Sequence, residues 1–69
     1  MTKQEAIIKA KEMIYGLTEH DWLDMTKDRM EQRLLGIIEF ISFAYNPSAK
    51  EFEDLKAYMY ERWDYWKKH

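Results

Sequence analysis

Asp21, Asp24 and Asp28 stand at i, i+3 and i+7, and His20 stands four residues before Asp24. A helix reaching back through this segment would carry three carboxylates and an imidazole close together, a donor set that can hold a divalent cation. The signal is weak. The Glu-x-x-His pair of bundle di-iron sites and the spacing of a calcium loop are both absent, and acids are expected near a helix N-terminus because the macrodipole favours them there. The expectation is a structural or solvated role, with no metal and no cofactor. Nucleophilic chemistry has less to draw on. There is no cysteine, Ser42 lies within a helical run, Ser48 sits at a helix start, and the two histidines fall beside an acidic turn and at the last residue. No nucleophile, base and orienting group assemble, so no catalytic residue is expected and the chain reads as a non-enzyme.

Binding chemistry is better represented. Tyr58, Arg62 and Tyr65 follow at i, i+4 and i+7, residue types enriched in binding hot spots. They form either the wet rim of a core or a recognition surface. A second set, Gly36, Phe40 and Phe43, shares a face distinct from the main apolar stripe of its helix. It is either core between two neighbouring helices or an exposed patch for a partner helix or a two-fold copy of the chain. Tyr58, Arg62, Tyr65, Phe40 and Phe43 are the candidate partner-binding residues.

The elements that must position these residues are helical. The most apolar run, Arg29 to Tyr45, places Met30, Leu34, Ile37, Ile38, Ile41, Ala44 and Tyr45 on one stripe at a period of 3.6 residues. Its second face, with Gly36, Phe40 and Phe43, asks for apolar cover on two sides, as a middle helix would receive. Ahead of it, T-K-Q-E at Thr2 is a capping box that opens a first helix, whose expected core is Ala6, Ala10, Met13 and Leu17 flanked by Ile7 and Ile14. Ile8 and Tyr15 lie nearly opposite, and Gly16 either helps end the helix or sits in its last turn, where glycine is tolerated at about 1 kcal/mol. Thr18, Asp21, Asp24 and Thr26 all offer a cap for the second helix, while Trp22, Leu23 and Met25 are expected to plug the end of the bundle. Asn46-Pro47 stops the central helix and S-A-K-E at Ser48 opens the third, with Phe52, Leu55, Met59, Trp63 and Trp66 inward and Glu53, Asp54, Glu61 and Asp64 outward. The spacing predicts an all-α, compact three-helix bundle with helices over about 3–17, 20 or 27–45, and 49–67, with or without a short extra turn at 18–25. Residues 1–69 form a single domain on this reading.

Composition narrows the function. Thirteen acidic and eleven basic side chains leave a formal charge of −2, without the basic footprint of a typical nucleic-acid binder. No run approaches the roughly 20 apolar residues that span a bilayer, and the charged N-terminus does not read as a secretory leader. A cytoplasmic protein that does not bind membranes is expected. A helix-turn-helix is disfavoured because the third helix begins S-A-K-E-F-E-D-L, with acids where phosphate contacts would fall. The alternative function is a small nucleic-acid-binding regulator that stacks single strands on Tyr58 and Tyr65 with help from Arg62 and Lys68. The favoured reading is a small helical protein acting by protein–protein interaction, on another protein or on itself as a homodimer. By analogy of size and composition alone it suits a phage or mobile-element inhibitor of a host protein. The acidic stretch from Glu19 to Asp28 is a further candidate docking edge.

Overall fold

Short polar-to-acidic sequences set the helix starts. The computed structural model describes residues 1–20 and 24–68. Thr2 Oγ1 accepts from the Glu5 amide at 3.1 Å while Glu5 Oε1 accepts from the Thr2 amide at 3.0 Å, and α1 runs over Lys3–Glu19. Of the caps available to the second helix, Thr26 is the one used, accepting from the Arg29 amide at 3.2 Å, and α2 covers Lys27–Tyr45. Asn46 ends it in the left-handed conformation at φ 47° and ψ 61°, a backbone shape that asparagine tolerates better than most residues. Pro47 and Ser48 complete the link to α3, Ala49–Lys68, where Ser48 and Glu51 form the second capping box.

The Glu51 box also ties two helices together. Its carboxylate accepts from the Ser48 amide at 2.8 Å and from Gln4 Nε2 at 2.7 Å, and lies 3.0 Å from Lys3 Nζ. The Ser48 amide chiefly, with Lys3 and Gln4 after it, holds the Glu51 carboxyl down at about 2 against an ordinary 4.5. A depressed acid stabilises the fold above its ordinary pKa and loses that contribution as pH falls through the folded value. The expected result is a melting temperature that drops between about pH 4.5 and 2, and drops less in Glu51→Gln, as followed by circular dichroism.

Each helix packs against both others. The buried core is Ala6, Ala10 and Ile14 of α1, Met30, Leu34, Ile38 and Ile41 of α2, and Leu55 and Met59 of α3. Of the expected inward stripe of α3, Leu55 and Met59 are buried, while Phe52, Trp63 and Trp66 are only partly buried and pack against the core's edge, where the Trp63 and Trp66 indole N–H groups donate to the Lys27 and His20 carbonyls at 3.1 and 3.2 Å. Ile8 and Tyr15 are exposed, on the far side of α1 from α2.

Three expectations are corrected. The core stripe of α1 is rotated: Ile14 is fully buried and Met13 is 54% exposed, with Thr18 inside in place of a wholly apolar row. The cause is i, i+4 progression through Ala6, Ala10, Ile14 and Thr18, because alanines facing both neighbours let the helix sit deep between them. α1 does not end at 17 but continues to Glu19 with Gly16 in its last turn, so Thr18 and Glu19 belong to that helix and not to a separate turn. The second face of α2 receives no cover, since three mutually packed helices each bury one broad face and leave the opposite one outside. Ala44 is exposed with it. Met25 packs against the core as expected, whereas Trp22, Leu23 and Asp21 lie outside the described residues.

Candidate interaction surface

The outer side of α2 collects the apolar surface that the bundle does not use. Phe43 is 94% exposed and Phe40 is 64% exposed, one turn apart on the same helix. At about 200 Å² per aromatic side chain, the two leave roughly 300 Å² of ring in solvent. Met13, 54% exposed on α1, lines the same groove as Phe40 and brings this surface into the size range of the largest apolar patch on an ordinary monomer. Between the two helices runs an apolar groove of about 540 Å³, with Ala6, Ala10 and Gly36 among its small residues and Met1, Met13 and Phe40 among its large ones. Past Met13 and Ile37 it leads to a second recess beside Gly16 and Leu17.

Both recesses carry a positive charge. Arg33 lines each of them, and Lys9 lines the first. Lys9 has Glu12 at 3.6 Å. Arg29, Arg33 and Glu39 form no ion pair with any described residue, in contrast to Lys3, Lys50, Arg62 and Lys67. Arg29 and Arg33 are like charges at i, i+4 in the N-terminal half of α2, where both mutual repulsion and the macrodipole oppose them.

The Tyr58, Arg62 and Tyr65 set lies across the molecule, on the α1–α3 side. Arg62 is engaged within the chain. Its Nε donates to Thr18 Oγ1 at 2.9 Å, its Nη2 meets Glu19 Oε1 at 2.9 Å, and its guanidinium lies 4.5 Å from the ring centres of both Tyr15 and Tyr65. Thr18 in turn donates to the Ile14 carbonyl at 2.8 Å, so its buried hydroxyl is satisfied in both directions. Tyr58 is half-buried under Lys11, whose ammonium is 5.7 Å from the ring centre, and Tyr65 stays at the surface. The structure thus brings Arg62 and Tyr65 together and separates both from Phe40 and Phe43.

Among the described residues no three acidic, histidine or cysteine side chains converge as a metal site would require. Asp24 and Asp28 are exposed, and Glu19 of the acidic stretch is occupied by Arg62. Sequence reasoning missed Met13, Arg33 and the groove itself. The usable signal was the pair of glycines inside helices and outside the core stripe, where each costs about 1 kcal/mol relative to alanine. No protein-family model, no curated protein and no solved structure matches this chain.

Proposed function

We propose that this chain is a non-enzymatic protein-interaction module that docks a protein surface against the outer side of α2 and the groove beside it. The observation that supports this is the exposed pair Phe40 and Phe43 on α2, of which Phe40 lines, with the exposed Met13, an apolar groove between α1 and α2. Arg29 and Arg33, which have no ion-pair partner among the described residues, call for carboxylates or aromatic rings opposite them. The complementary surface is therefore helical and apolar, flanked by acids. A modulator or inhibitor encoded by a phage or mobile element is the use that the small, cysteine-free composition suits.

The test is recovery of proteins from native lysate by the tagged chain and by Phe40→Ser/Phe43→Ser, each with and without nuclease. The expected result is one protein, or untagged copies of this chain, held in near-stoichiometric amount by the unaltered chain, insensitive to nuclease, and lost from the doubly substituted one at unchanged helicity. Equal recovery by both chains would contradict the assignment of this face. Recovery abolished by nuclease would replace the proposal with the nucleic-acid reading.

A further inference from the structure

We infer that the occupant of this face is a second copy of the chain, packed with its α2 antiparallel to the first across a two-fold axis at Gly36. The inference rests on the interaction reading above and gives the docking face its partner. Gly36 lies mid-way along α2, and a Cβ built there meets nothing within 4 Å. Nothing inside the bundle therefore explains a helix-breaking residue at that position. A glycine there does let a second helix backbone come close.

The residues around Gly36 complement themselves. Arg33 lies three residues before it and Glu39 three after, Gln32 and Phe40 lie four to either side, and Arg29 and Phe43 lie seven to either side. In an antiparallel pair of identical helices related by a two-fold axis at position 36, each residue comes level with the one equally far on the other side of 36 in the second copy. Arg33 then stands level with Glu39 of the second copy, each reaching across the interface from its own flank, and Glu39 stands level with its Arg33. Arg29 lies against the ring of Phe43, a cation–π arrangement, and Phe40 covers the stem of Gln32. Arg29, Arg33 and Glu39, which have no ion-pair partner among the described residues, and the two exposed phenylalanines are all engaged by one operation. A parallel pairing would instead set Arg33 on Arg33 and leave like charges opposed.

Area agrees with this occupant. The Cα extents are 34 × 20 × 15 Å, so a side of the bundle two helices wide is comparable with the roughly 800 Å² per partner of a standard interface.

Sedimentation equilibrium of the chain and of Arg33→Glu, Glu39→Arg and the double exchange tests the pairing, with circular dichroism to confirm that each exposed substitution keeps its helicity. The unaltered chain should sediment near twice its 8.5 kDa mass at high concentration. Each single exchange creates two like-charge contacts and should weaken association by about tenfold or more, and the double exchange should restore it to within about threefold. A monomer up to millimolar concentration, single exchanges without effect, or a double exchange no better than either single would each overturn the inference. A monomer that still recovers another protein through Phe40 and Phe43 overturns self-pairing alone. A monomer whose recovery ignores those residues removes the interaction face as well.

Discussion

Replacing Leu34 with alanine should lower the unfolding free energy by about 2–5 kcal/mol, the largest single effect expected in this chain. Leu34 is completely inaccessible at the centre of α2, among the buried side chains of all three helices. Removing its three terminal carbons forfeits their transfer energy and leaves a cavity that rigid helices cannot close. A 69-residue fold has only roughly 3–10 kcal/mol in total, so the loss consumes much of it. In urea the midpoint should fall by about 2 M or more with little change in slope. The contrast is Phe43→Ala, a larger truncation at a 94% exposed position, which should move the monomer's stability by no more than about 0.5 kcal/mol. Comparable losses from the two would contradict the placement of α2.

The second large effect is expected at Arg62. Its two charge-assisted contacts and two aromatic neighbours fasten the C-terminal half of α3 to the end of α1. Charged hydrogen bonds contribute about 1.5–3 kcal/mol and partly exposed cation–π contacts about 0.5–1 kcal/mol, neither fully additive, so Arg62→Ala should cost about 2 kcal/mol. Arg62→Lys should recover little of this, because a lysine cannot reach Thr18 and Glu19 together as a planar fork does. Thermal melts of the two variants decide it. If Arg62→Ala melts within a degree or two of the unaltered chain, the residue is free for recognition and the α3 surface returns as a binding site.

Much of the fold was legible because local chemistry sets it. Capping boxes at Thr2 and Ser48 and the Asn46-Pro47 stop depend only on neighbours in sequence, and each helix boundary they govern is where they place it. The facing of α1 was not legible. Ile14 and Met13 are both apolar and adjacent, and the choice between them is made by the depth at which Ala6 and Ala10 allow α1 to sit, a property of the assembled bundle. Arg62 was singled out for its type and spacing, but its engagement with Thr18 and Glu19 joins residues more than forty positions apart. Phe40 and Phe43 were recognisable as a set apart from the main stripe. That they stand in solvent follows from the triangular packing, which no helical periodicity reports. The placing of Arg33 and Glu39 three residues to either side of Gly36 stands in the linear sequence, but that all three are exposed is seen only in the assembled bundle.

The most direct measurement is disulfide trapping, for which a chain without cysteines is well suited. Gly36→Cys places a thiol on the proposed axis, and Ala57→Cys places one on an exposed position of α3 as a control. Under mild oxidation at low protein concentration, Gly36→Cys should convert rapidly to a covalent dimer of unchanged helicity, while Ala57→Cys should remain largely monomeric. Equal, slow cross-linking of both would show that the outer face of α2 meets no second copy, and would contradict the pairing at its centre.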